Sequence, residues 1–239
     1  LRSIQAPDGS VGVSSSQAAP KWPTALAISV WTLWQRITED DRFQSETENA
    51  VQWALSNQGK TAPRGDLVGH DTTLRGWSWA ADTHAWLEPT AYFIAGLIHA
   101  GYDQHPRTIE AIRLVIDRQL PQGGFNYGNT IVLGQRLVPH IQPTGISLLA
   151  LATARIDSQR VIRSIEYLQS SFGSAVSTAS CCFAAMGLAA FDRYPESAQT
   201  VLQQLYEREK KHQVTYKLAV LTLAQQAKRS VLLRTEDPS

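Results

Sequence analysis

Cysteine is almost absent from the sequence: Cys181 and Cys182 are the only two, and they are neighbours within an apolar run. Adjacent residues are too close for an ordinary cross-link, and neither has a Cys-x-x-Cys partner, so a disulfide framework is not expected and the pair reads as buried small hydrophobes. Net charge is nearly absent too. Twenty-two basic residues face twenty-one acidic ones, and no run of like charge stands apart. The chain therefore has no field to attract nucleic acid or an anionic membrane, and no nucleic-acid partner is expected. No apolar run approaches the roughly 18–20 residues of a membrane span, and no basic-then-apolar signal segment opens the chain. The expectation is a cytoplasmic protein without a transmembrane segment, peripheral membrane contact remaining open. Strand alternation is missing apart from the short "TIVLG" at 130–134, which points to an all-α fold.

What is present is enough to bury a core. The 239 residues are 43% hydrophobic and 18% charged, and a chain of this size suits a single domain spanning 1–239. It opens on Leu1 with "LRSIQAPDGSVG", which reads like the middle of a pattern, so residues upstream are expected.

That pattern is a repeat. "WPTALAISVWTLW" (22–34), "EPTAYFIAGLIHAG" (88–101) and "QPTGISLLALATA" (142–154) each set Pro-Thr before about three turns of apolar helix. Runs from Ser177 and Val214 keep the threonine without the proline. Thr24, Thr90, Thr144, Thr178 and Thr215 thus mark five equivalent helix starts, spaced 66, 54, 34 and 37 residues apart. The first two intervals are long because they carry insertions, roughly 59–85 and 121–141. Proline suits a helix start because its missing N–H has no partner there in any case.

Between these starts lie amphipathic helices at 45–58, 105–119, 157–169 and 195–211. In the second of them Ile109, Ile112, Val115, Ile116 and Leu120 fall on one face with charges opposite. The threonine-led helices are apolar nearly all round and are expected to be buried on both sides, in a layer covered by the amphipathic ones. Amphipathic helices close on a glutamine and a glycine-containing turn, at "SNQG" (56–59), "QLPQGGF" (119–125) and, more weakly, "QSSFG" (169–173), and the same signal opens the chain at "QAPDG" (5–9). Glycine supplies the left-handed residue that ends a helix, and glutamine can hydrogen-bond turn backbone.

Helix, glutamine, glycine, aromatic, then a helix opening near Thr-Ala: this order resembles the QW-type repeat of the squalene/hopene cyclase and protein prenyltransferase superfamily, best in "IRLVIDRQLPQGGFNYG" (112–128). With "GWSWAADTHAWLEPTA" and "VPHIQPTGISLLALA", the chain resembles bacterial prenyltransferase/squalene oxidase repeat-containing proteins over most of its length. The resemblance implies an α/α toroid, a ring of helical hairpins whose inner helices start near the five threonines and line an apolar cavity. A full ring in that superfamily takes about six hairpins, and five inner and four outer helices are visible here.

The chemistry of the superfamily does not transfer as a block. The cyclases protonate an alkene with the middle aspartate of Asp-x-Asp-Asp-Thr-Ala, a motif that falls here on Trp86, Leu87, Glu88 and Pro89 ahead of Thr90-Ala91. Glu88 takes the proton donor's place, and both supporting aspartates are missing. A carboxylate at a helix N-terminus is held in its ionised form, which cannot donate a proton. The zinc-dependent prenyltransferases need an Asp-x-Cys pair with a distant histidine. No such spacing occurs, the six histidines are scattered, and no metal site or cofactor is expected. "GGFNYGN" lacks the lysine and hydroxyl residue of a phosphate loop.

What remains is a concentration of aromatic and acid–base residues around one helix start. Trp77, Trp79, Trp86 and Tyr92, with Trp22, Gln142, Phe125, Tyr127 and His140 from other repeats and the second insertion, are the candidates to hold a hydrophobic ligand. Glu88 or Asp82 is the candidate acid or base, with His84 orienting it. Two readings stay open. One is a terpenoid-cyclase-like protein binding an isoprenoid or lipid-like molecule, an isomerase, cyclase or transferase if it is an enzyme. The other is a non-catalytic helical-repeat scaffold for a protein partner.

Overall fold

The computed structural model describes residues 1–65, 68–174 and 177–228; positions 66 and 67 of the first insertion lie outside the described residues. The chain divides into two compact units. The first comprises Leu1–Arg118 and Tyr127–Arg136, the second Gln119–Asn126 and the chain from Leu137 onward.

In the first unit, α1 (Pro23–Thr38), α2 (Gln44–Ser56), α3 (Leu87–His99) and α4 (Pro106–Asp117) follow one another, and a small hairpin of β1 (Ile131–Val132) and β2 (Gln135–Arg136) occupies the "TIVLG" segment. The threonine-led α1 and α3 pack side by side, with α2 against α1 and α4 against α3. The second unit holds α5 (Ile141–Thr153), α6 (Gln159–Ser171), α7 (Thr178–Ala189), α8 (Ala198–Glu209) and α9 (Thr215–Gln225). There α7 lies between α5 and α9, α6 covers α5, and α8 covers α9. The described residues are thus all-α but for the two-stranded hairpin, with threonine-led helices adjacent to one another in each unit.

Proline takes the first position of α1 but the third of α3 and α5. Both placements fall within the first turn, where backbone N–H groups have no helical acceptor and proline loses nothing.

The threonines explain why the starts recur. Thr24 Oγ1 accepts the Val11 N–H at 2.8 Å and donates to the Lys21 carbonyl at 2.7 Å. Thr90 accepts from Trp77 N–H at 3.0 Å and donates to the Trp86 carbonyl at 2.6 Å. Thr144 accepts from Phe125 N–H at 2.9 Å and donates to the His140 carbonyl at 2.6 Å. In each case one buried hydroxyl ties the turn before the helix to the helix itself, and all three threonines are wholly buried. Removing the hydroxyl leaves the turn N–H buried without an acceptor, at about 1–3 kcal/mol. Thr144→Val is therefore expected to destabilise by that amount although it keeps the side-chain volume. Urea unfolding followed by circular dichroism measures it.

Glutamine and glycine complete the joint. Gln5 Nε2 donates to the Gly9 carbonyl at 3.0 Å and to the Glu46 carbonyl of α2 at 2.8 Å. Gln119 Nε2 donates to the Arg160 carbonyl and to Ser164 Oγ, both in α6. Both glutamines thus bind the next amphipathic helix, and Gln5 binds its own turn as well. Beside them Gly9 and Gly123 have φ of +88° each, and a Cβ at either would stand 2.2 Å from the Asn49 carbonyl oxygen or 2.4 Å from that of Arg163. Glu46 and Asn49 on α2 correspond to Arg160 and Arg163 on α6, so the two joints are copies. Gln58 and Gln169 are exposed. In the joint holding Gln58, Arg107 Nη2 of α4 donates instead to the Asn57 carbonyl at 3.0 Å.

Threonine-led helices also end alike. Tyr102 N–H reaches the Leu97 carbonyl, Ile156 the Leu151 carbonyl and Arg193 the Leu188 carbonyl, at 2.8, 2.9 and 2.9 Å. The residue before each has positive φ, namely Gly101 (84°), Arg155 (53°) and Asp192 (56°). This is the closing turn that favours glycine. Asp192→Gly is expected to stabilise by about 0.5–1 kcal/mol, raising the melting temperature by roughly 1–4 °C. Thermal unfolding checks the sign.

One expectation is corrected. The apolar α3, α5 and α7 are buried along most of their length, but α1 exposes Leu26, Val30, Trp34 and Ile37, and α9 exposes Tyr216 and Leu223. Apolar composition predicts burial all round, but these side chains of α1 and α9 are exposed to solvent.

Candidate functional site

The first insertion folds back on itself through its backbone. Gly59 N–H donates to the Gly76 carbonyl, Lys60 N–H to Thr83, Ala62 N–H to Thr72 and Trp86 N–H to Trp77. These rungs lay the segments 59–62, 72–77 and 83–86 alongside one another and leave a cleft of about 580 Å³ among them. Ala62, Val68, Leu74, Ala85 and Trp86 supply its apolar wall, while Lys60, His70, Thr72, Asp82, His84, Arg118 and Asn129 supply its polar groups.

Arg118 is the anchor. Its side chain is buried, Nη1 donates to the Gly128 carbonyl at 2.8 Å and Nη2 to the Asp71 carbonyl at 3.2 Å, and Nε lies 3.6 Å from Asp117 Oδ2. One guanidinium thus fastens the segment before the hairpin to the turn at Asp71, whose own N–H donates to Asp117 at 2.8 Å. Burial lowers the Arg118 pKa to about 10, which leaves it charged at neutral pH. His70, also buried, lies with Nδ1 3.2 Å from Thr130 Oγ1. Burial first, and the neighbouring Arg118 charge second, lower its pKa to about 4, so it is neutral at pH 7.

At the mouth, the His84 ring lies 4.5 Å from that of Trp86 at 35°. His84 is exposed and Trp86 half-buried. Asp82 is largely exposed at the rim, holds a φ of 61°, and pairs with Lys60 Nζ at 3.3 Å.

Of the residues singled out in the sequence, Asp82, His84 and Trp86 are brought together by this cleft. Trp22, Trp79 and Tyr92 form a second group: the Trp22 ring meets Trp79 edge-on at 5.1 Å and lies 6.4 Å from Tyr92. That group sets the starts of α1 and α3 at one end of the first unit. Trp77 is core. It is 2% exposed, its indole N–H donates to the Ala54 carbonyl at 3.0 Å, Phe93 stacks on it at 4.7 Å, and the Arg107 guanidinium lies 4.6 Å over its ring. Glu88 is buried in the first turn of α3, where the helix dipole favours a carboxylate. Tyr127 is exposed, and its carbonyl accepts the Leu87 N–H at 3.1 Å. In the second unit Phe125 is buried, exposed His140 donates its N–H to the Phe125 carbonyl at 2.8 Å, and Gln142 is half-buried in the first turn of α5.

His70 and Arg118 are the buried polar residues of the cleft that sequence reasoning missed. Arg118 stands in an otherwise ordinary charged helix end, and nothing local distinguishes a guanidinium that distant segments will cover.

A smaller cleft of about 270 Å³ lies at the other end of α3, walled by Thr32, Gln35, Gln44, Glu48, His99 and Tyr102 among others. Both ring nitrogens of His99 and the Thr32 hydroxyl are buried there without a hydrogen-bond partner among the described residues. Burial, then the Arg36 charge, lower the His99 pKa to about 4.

Among the described residues no three His, Cys, Asp or Glu side chains are placed to share a metal ion, and no helix is long and apolar enough to cross a membrane. Cys181 and Cys182 are buried free thiols, and burial pushes the Cys182 pKa up to about 12. No protein-family model matches the chain, and neither a curated protein nor a solved structure matches it.

Proposed function

We propose that the first unit binds an isoprenoid or lipid-like molecule in the cleft lined by segments 60–62, 68–74 and 82–86. The cleft itself carries this reading: about 580 Å³ with an apolar wall ending on Trp86 and a few polar groups at floor and mouth, a size and make-up suited to an apolar small molecule. Asp82 and His84 are the acid–base side chains this cleft presents. Proton-transfer or carbocation chemistry of the cyclase, isomerase or transferase kind would begin from them or from Glu88.

The wider likeness to terpenoid-cyclase toroids, with the hairpins as arcs of a ring, belongs to the same proposal. It draws support from the gathering of the α1 and α3 starts around Trp22 and from Glu209, which takes a hydrogen bond from Thr178 at the start of α7 and an ion pair from Lys217 at the start of α9. The exposed apolar flank of α1 favours the second reading, a scaffold for a protein partner.

Titration with farnesol, followed by tryptophan emission, tests the first reading. A saturable change is expected, weakened at least about tenfold by Ala62→Trp, which fills the cleft, and unaffected by Tyr127→Ala. No saturable change, or one indifferent to Ala62→Trp, removes the cleft from consideration.

A further inference from the structure

Counted from its own threonine, each threonine-led helix uses the same two flanks. Ala25, Ile28 and Ser29, one, four and five places after Thr24, are the atoms nearest to a Cβ at Gly96, six places after Thr90. Gly145, one place after Thr144, meets Phe183 and Gly187, five and nine places after Thr178. A helix therefore offers its first, fourth and fifth places to the next, which receives it at its fifth, sixth and ninth. In α9 the receiving places, Val220, Leu221 and Ala224, are buried, and its neighbour is α7.

One flank in each unit is partly exposed. On α1 one of the three receiving places, Val30, is 51% exposed, while Ser29 is half-buried and Leu33 buried; Leu26, Trp34 and Ile37 lie beside Val30 in an exposed stripe along the helix. On α9 the offering places Tyr216 and Ala219 are exposed, with Leu223 exposed one turn further on, while the third offering place, Val220, is buried. Each is the counterpart of a flank already joined elsewhere in the chain. We propose that α9 of one copy docks on α1 of a second copy, continuing the interface that joins α1 to α3 and α5 to α7. The contact is head-to-tail, so it uses different surfaces on the two copies and propagates into a ring or filament. Because Val30 stands where α3 has Gly96 and α7 has Ala184, the two axes lie at the wide end of the usual range, about 10 Å apart.

Sedimentation velocity of the full chain over a range of concentrations tests this. Wild type is expected to exceed its 26.4 kDa monomer mass as concentration rises. Val30→Asp and Leu223→Asp are each expected to weaken association at least about tenfold, because a buried unpaired carboxylate is costly. An equimolar mixture of the two variants is expected to form a dimer at concentrations where neither associates alone, since each retains the flank the other has lost. Trp34→Glu serves in place of Val30→Asp if helicity falls. A monomer at every concentration, association indifferent to both substitutions, or a mixture that fails to pair overturns the proposal. The first result also follows if α1 is reserved for another protein or for further residues of a longer chain.

Discussion

Gly123→Ala lowers the melting temperature by about 6–20 °C. Two penalties act together. The glycine holds a φ of +88°, which costs an alanine about 1–2 kcal/mol, and its Cβ would stand 2.4 Å from the Arg163 carbonyl oxygen and 2.9 Å from the carbonyl carbon. Backbone cannot rotate aside as a side chain can. The first turns of α6 must retreat from the 119–125 loop, and with them go the bonds from Gln119 to Arg160 and Ser164. A loss of about 3–5 kcal/mol in all, at roughly 2–4 °C per kcal/mol for a chain of this length, gives the stated shift. Gly9→Ala repeats the experiment in the first unit against Asn49. Gly173, with nothing within 4 Å of its Cβ position, is the control and is expected to tolerate alanine. Calorimetry distinguishes the three.

Mild acid has the second large effect, and it falls on the first unit. His70 and His99 titrate near 4 there against an ordinary value of 6.5. Between those values the unfolded chain binds protons that the folded one refuses, so stability is complete above pH 6.5 and declines as pH falls to about 4. Each histidine accounts for about 3 kcal/mol at most over that window. Urea midpoints at pH 7, 5.5 and 4 are expected to fall steadily, and the fall is expected to be about halved in His99→Leu, which also removes two buried nitrogens lacking partners. A midpoint constant from pH 7 to pH 4 contradicts both assignments. Glu209 acts in a separate and lower window: hydrogen bonding from Lys217, Thr178 and Arg208 holds its carboxyl down to about 2, so its contribution is present above 4.5 and is lost only as pH falls toward 2.

Much of this architecture is legible in the sequence because it depends on local chemistry. Pro-Thr before an apolar run placed α1, α3 and α5 within one or two residues at their starts, and Thr24, Thr90 and Thr144 proved to be the locking groups themselves. Glutamine and glycine marked the turns. What they could not convey was reach: Gln5 and Gln119 clasp α2 and α6, 41 residues downstream in each case. The cleft was half legible. Asp82, His84 and Trp86 lie close together in the chain and stayed together in space, whereas His70 and Arg118 joined them only because Asp71, Gly128 and Thr130 fold against them. Trp77 shows the converse, an aromatic chosen by proximity to the site whose indole is held inside by Ala54 and Phe93. The exposed flank of α1 was illegible for a further reason. Its composition matches that of its buried counterparts α3, α5 and α7.

Native mass spectrometry of the protein purified from its own cells tests the central claim most directly. The wild-type chain is expected to carry a noncovalent apolar adduct of isoprenoid or lipid mass, released on mild activation and missing from the Ala62→Trp variant. A wild-type spectrum showing the bare chain, or one adduct shared equally by both proteins, contradicts it.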